Sequence, residues 1–301
     1  MAGFNQFPNC GNNTNVTGVS CDADIGAPSK PFVTKIDFEY ATYASATTEA
    51  DHITAIKAEN EFPFPFIKEF DNNSEEDTKY TSPIDSVQIT TRRGKTVHQF
   101  KFVFNPDLNN RLQAFNNAIM RYYYVDVNNN FVGTSDDGTV FKGFKSLISV
   151  KQWMDSDGSN PAFTVVEFSM LDSYEREEQV AAFPATFNAK GLDGAIPATL
   201  TVSTTTLPTA TDIVVSVADY NGNAITGLTD NEFRYMEADG ITEEVISGVV
   251  ESTETSGEYT ISASAFTTLG NINLYDQTNS VDVITVGSFY YKGTAATVTI
   301  V

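Results

Sequence analysis

A chain of 301 residues is long enough for two hydrophobic cores, and its 18 basic against 39 acidic residues leave a net charge of −21. That balance argues against gripping nucleic acid, which needs many Lys and Arg to neutralise phosphates, and fits a soluble surface kept apart by like charge. Two cysteines, two histidines and one tryptophan are too few for a disulfide scaffold, a Cys/His zinc site or a tryptophan-lined sugar-cleaving groove.

Residues 1–30 are rich in Gly and Asn, contain both Cys10 and Cys21, and show no hydrophobic period, so they read as an extended arm ended by Pro28 and Pro31. The two thiols are able to close one small loop. The first residues lack a basic segment followed by an apolar one, and no apolar run approaches the ~18–20 residues of a membrane span. The expectation is a protein made in the cytoplasm, with no membrane partner. From Phe32 to about Ala44, alternation of Phe32, Thr34, Ile36, Phe38 and Tyr40 against Val33, Lys35, Asp37 and Glu39 predicts a strand with one polar face, and the segment from His52 to Ala58 reads as a second strand. Pro63 and Pro65 remove two ladder donors from Phe62-Pro-Phe-Pro-Phe66, which must therefore be an edge or crossing segment resting its phenylalanines on an apolar floor. Asp71 to Lys79 is too polar to pack and reads as a projecting loop. Ser86 to Thr91 and Thr96 to Phe104 read as two strands joined at a basic tip, Arg92-Arg-Gly-Lys95.

One helix is well signalled. Asn105 is a capping residue, Pro106 suits the first helical position, and Leu108, Leu112, Phe115 and Ile119 fall on one face, predicting a helix over Asn105–Met120 packed on a sheet. Strands follow around Tyr122, Phe131, Thr139, Leu147 and Phe163, with turns at Asn128–Asn130, Asp136–Gly138 and Asp155–Gly158. Glu175 to Ala189 leads out, and Gly191-Leu-Asp-Gly194 reads as a boundary between a β domain over 31–190 and a second over 195–301. The second is the more acidic, with fourteen Asp and Glu from residue 191 onward against Arg234 and Lys292. Its short runs at Thr199, Ile213 and Tyr259 are each bounded by Gly, Asn, Asp or Pro.

No residue pattern carries catalytic chemistry, and the reading is of a protein that is not an enzyme and takes no cofactor. Gly133-Thr-Ser-Asp-Asp-Gly138 lacks the spacing of a nucleophile elbow and sits where a hairpin turn belongs. His52 and His98 lie in strand-like segments and read as structural, and no phosphate loop precedes Lys95. Asp126-Val-Asn-Asn-Asn130 mimics half a calcium loop, but Phe131 stands where glycine is needed. It is more simply an Asx turn, as is Asp155-Ser-Asp-Gly158. Catalytic, cofactor-binding and metal residues are therefore all expected to be none.

Asp219-Tyr-Asn-Gly-Asn-Ala-Ile-Thr-Gly-Leu228 and Ser256-Gly-Glu-Tyr-Thr-Ile261 resemble bacterial and phage Ig-like repeats, in which such a turn precedes one strand and a Gly-x-Tyr-Thr opens a later one. The whole arrangement resembles a major tail tube protein of a long-tailed bacteriophage: an arm, a strand-rich domain with one flanking helix and a polar loop, then an acidic Ig-like sandwich. That resemblance implies a mainly β chain that self-assembles as stacked hexameric rings into a tube conducting DNA. It also implies tail-protein partners in the virion and an Ig-like domain displayed outside. The arm and the loop Asp71–Lys79 would bridge rings, and the helix would face outward or a neighbouring subunit. A capsid decoration or head-fibre protein, and a surface adhesin, stay open as alternatives.

Overall fold

The computed structural model describes residues 25–81, 87–136, 138–266 and 269–300. With 46% of residues in strands and 13% helical, the protein is mainly β. It divides into two compact units, Met1–Ala55 with Asn60–Leu192, and Ile56–Glu59 with Asp193–Val301. Most of the expected arm, with Cys10 and Cys21, lies outside the described residues.

In the first unit the strands are β1 (Pro28–Thr34), β2 (Glu61–Pro63), β3 (Glu69–Asn72), β4 (Thr78–Thr81), β5 (Gln88–Arg92), β6 (Val97–Val103), β7 (Ile119–Asp126), β8 (Asn130–Thr134), β9 (Phe144–Val150), β10 (Phe163–Met170) and β11 (Val180–Pro184). The helices are α1 (Tyr43–Thr47), α2 (Glu49–Lys57), α3 (Pro106–Leu112) and α4 (Ser173–Glu177). Nine strands form one sheet in the order β11-β8-β7-β9-β10-β6-β3, with β1 also on β7 and β2 on β1, all antiparallel. Both faces of its middle are covered. Tyr122 and Tyr124 of β7 point into a core with Phe100, Phe144, Ile148, Val166 and Phe168. Between them Tyr123 turns the other way, stacks on Phe32 at 5.1 Å and meets Phe131 and Phe141 edge-on.

This two-sided burial corrects the expected polar face of the first strand. Phe32 and Val33 are both fully buried, and the strand ends at Thr34. The His52 segment is helix α2, not a strand, because its buried residues His52, Ala55 and Ile56 recur at helical spacing, and Glu49 and Asp51 sit in the first turn with Lys57 in the last. Helix α1 before it begins with a capping box between Thr42 and Ser45. The proline-rich segment does lie at an edge: Phe64 is buried against Phe102, Phe115 and Phe168, while Phe66 is exposed.

Helix α3 has the expected cap, Asn105 Oδ1 accepting from the N–H groups of Asp107 and Leu108, but stops at Leu112 and tightens to a 3-10 turn over Gln113–Phe115. Asn117, at φ 63°, reverses the chain, and its N–H bonds Ile148 O at 2.9 Å. Ile119 and Met120 therefore join β7 opposite Leu147 and Ser146. The joined pair expected across Arg92–Lys95 does not form either: β5 pairs with β4, whereas β6 pairs with β3 and β10. Only β6 alternates buried residues, so it belongs to a packed sheet and the exposed, Thr-rich β5 does not. The exit segment carries α4 and then β11, whose Ala181, Ala182 and Phe183 are buried against β8.

The second unit has strands β12 (Ile196–Val202), β13 (Asp212–Asp219), β14 (Phe233–Glu237), β15 (Glu243–Glu244), β16 (Ile246–Glu251), β17 (Glu258–Ala263), β18 (Leu269–Leu274), β19 (Val283–Val286), β20 (Phe289–Thr294) and β21 (Ala296–Thr299). They form a six-stranded sheet, β16-β17-β13-β12-β20-β19, and a four-stranded one, β15-β14-β18-β21. The pair β12–β20 is parallel. Alternation places Ile213, Val215 and Val217 of one sheet and Phe233, Tyr235, Ile272 and Leu274 of the other in a single core.

The two motifs singled out in this unit meet. Asp219 Oδ1 accepts from the N–H groups of Asn221 and Asn223, its Oδ2 from Asn223 Nδ2, and Gly222 sits at φ 82°. The turn so closed delivers Ile225 and Leu228 to Tyr259: its hydroxyl donates to Ile225 O at 2.8 Å and accepts from Leu228 N–H at 3.3 Å. Gly257, two residues before that tyrosine, has φ 74°, and a side chain there would meet Ala224 Cβ at 2.8 Å.

Candidate interaction surface

Strands β4 and β5 form a two-stranded sheet of their own, and every residue in both is exposed. The register sets Tyr80 opposite Ile89 and Thr81 opposite Gln88, with a bulge where Thr91 has no partner. Tyr80, Val87 and Ile89 leave half or more of their surfaces in water. The base of this hairpin is tied down. Asn73 N–H donates to Val97 O, Glu75 N–H to Lys95 O, and Gly94 N–H to Asp77 Oδ1 at 2.8 Å. Arg92 reaches Glu75 at 3.1 Å and Arg93 reaches Glu177 at 2.8 Å. At Gly94 the Glu75 carbonyl passes so close that an added Cβ would lie 1.9 Å from its oxygen.

Residues 78–95 carry Lys79, Arg92, Arg93 and Lys95 against Asp85, and the base before them adds Asp71, Glu75, Glu76 and Asp77. The hairpin is therefore a partly apolar finger of mixed charge, with Arg92 and Arg93 already paired to Glu75 and Glu177. A cleft of about 280 Å³ beside it is lined by Arg93, Lys95, Thr96, Met170 and Ser173.

The groups weighed for chemistry are elsewhere. Ser135 Oγ accepts from Gly138 N–H at 2.9 Å and closes a turn. Asp126 is fully buried, with its oxygens taken by the N–H groups of Asn130 and Gly26 and by Asn130 Nδ2. Asp157 accepts from the N–H groups of Asn160 and Ser159, which holds its carboxyl below the usual range. Both are Asx turns. Among the described residues no three His, Cys, Asp or Glu side chains converge as metal ligands, and no helix is long and apolar enough to cross a membrane.

His98 is buried with Nδ1 2.8 Å from the Tyr122 hydroxyl, while Nε2 has no hydrogen-bond partner. Burial first, then the charge of Arg176, pushes its pKa down to about 3. Arg121 and Glu175 form a second buried link: Arg121 reaches Glu175 Oε1 and Gly143 O at 2.8 Å, and Lys145 N–H donates to Glu175 Oε2.

No family model and no curated protein matches the sequence. The loop expected over Asp71–Lys79 is bounded by strands: Asp71 and Asn72 end β3, Thr78 and Lys79 open β4, and residues 73–77 between them are exposed. The exposed pair β4–β5 has a signal in the Thr-rich, non-alternating β5, which offers no face to a core.

Proposed function

We propose that this chain is a virion structural protein that polymerises through its first unit, as stacked rings forming the tail tube of a long-tailed bacteriophage. In this reading the second unit is an outward Ig-like decoration. The observation that carries the reading is the exposed hairpin. A two-stranded sheet uncovered on both faces is marginal in water, so residues such as Tyr80 and Ile89 are best explained by a surface that covers them in an assembly. The nine-stranded sheet flanked by α3 supports the tube-like comparison. The two-sheet second unit, with its Asp219 turn tied to Tyr259, supports the Ig-like one.

The test is the size of the protein in solution. Light scattering after size exclusion should give multimers for the full chain and monomers for a Tyr80→Asp, Ile89→Asp variant whose circular dichroism is unchanged. Equal multimers from both proteins would remove the hairpin from the interface. Monomers or trimers that bind only to capsids would favour decoration instead.

A further inference from the structure

The first unit holds a closed polar cluster that the assembly reading does not use. His52 of α2, Glu61 of β2, Tyr123 of β7 and Tyr40 are all buried. His52 Nε2 lies 3.0 Å from Ala46 O, so that nitrogen must carry a proton and donate it. Nδ1 lies 3.0 and 3.1 Å from the two oxygens of Glu61 and 2.8 Å from the Tyr40 hydroxyl. Both hydroxyls are already committed to the carboxylate: Tyr123 donates to Oε1 at 2.5 Å, and Tyr40 donates to Oε2. A bare Nδ1 would thus face two carboxylate oxygens lone pair to lone pair. Both oxygens of Glu61 already accept a hydroxyl proton, so Glu61 meets Nδ1 as an acceptor and the remaining proton sits on the imidazole.

We infer that His52 is a buried imidazolium, and that loss of its Nδ1 proton in alkaline solution is a latch release that frees helix α1 and the first turns of α2 from the sheet. The latch is placed for this. His52 and the Ala46 carbonyl belong to the helices, Glu61 to an edge strand paired only with β1, and Tyr123 to the centre of the sheet. With the proton present the cluster is neutral. Without it, Glu61 is an unpaired buried anion.

The groups facing His52 are Glu61, Tyr40 and Tyr123, the carboxylate of Asp51 at longer range, and the rings of Phe131 and Phe187. Burial alone would lower the histidine pKa. Glu61, by charge and hydrogen bond, and the Ala46 carbonyl outweigh it and hold the value raised. The hydroxyls of Tyr40 and Tyr123 are pushed up by burial and by Glu61, so they remain donors.

Two measurements on the full chain test the latch. Nitrogen-15 spectra of histidine at pH 7.5 should show His52 with both ring nitrogens protonated, and Glu61→Gln, which removes the anion, should convert it to the singly protonated form. Proteolysis within residues 43–55, with protease activity matched at the two pH values, should be at least tenfold faster at pH 9.5 than at pH 7 in the wild type and unchanged in Glu61→Gln. If Glu61→Gln does not fold, His52→Gln serves as the pH-insensitive control. A singly protonated His52 in the wild type at pH 7.5, or equal cleavage at both pH values, would overturn the inference.

Discussion

At Gly94 one absent side chain decides how the exposed finger is seated, because the Glu75 carbonyl occupies the space a Cβ would need. Gly94→Ala should therefore leave the two cores intact while loosening the hairpin base. Proteolytic cleavage between residues 75 and 95 should rise several-fold, with thermal unfolding of the whole protein shifted by no more than a few degrees. His98 makes the opposite kind of statement. Its pKa falls from the ordinary value near 6.5 to about 3, so the unfolded chain binds a proton over that window and the folded chain does not. Its contribution is complete above about pH 6.5 and is lost as pH drops toward 3. Unfolding by urea between pH 7 and pH 4 should show this acid loss. The double variant His98→Phe, Tyr122→Phe, which removes both polar groups, should lose less over the same range. His52 acts with the other sign, contributing below its ordinary value and losing that contribution as pH rises through the raised one.

Among the elements, α3 shows how far local signals reach. Its cap, its proline and the stripe Leu108, Leu112, Phe115 were legible, since each depends on neighbours within a turn. Its end was not, because Asn116 and Asn117 leave the helix to bond Val150 and Ile148, residues far along the chain. Leu112→Asp should bury a lone carboxylate and cost roughly 3–5 kcal/mol, seen as loss of soluble protein. Arg111→Ala removes a half-exposed pair with Asp107, and should stay within about half a kcal/mol by urea unfolding. The same limit explains α2, where strand and helix spacings fit a short apolar run equally well, and the miss at β5, because burial draws β6 to β3 and β10 in the packed sheet and leaves β5 with the equally exposed β4. The cluster around His52 had no sequence signal at all. Its members come from four separate segments and meet only through the sheet register.

For the molecule as a whole, the mainly β character was legible from alternation and turn residues, whereas the pairing order of the strands was not. The second unit has its own two sheets and a single core, so a fragment of residues 195–301 should fold alone and be monomeric, with a strand-type circular dichroism spectrum and a cooperative thermal transition. An unfolded fragment beside a folded full chain would place the boundary elsewhere. Self-assembly of the full chain, as proposed above, is read from negative-stain electron microscopy of the purified protein at increasing concentration: rings of uniform symmetry that stack into hollow tubes are expected, and a field of dispersed monomers at every concentration would overturn the proposal.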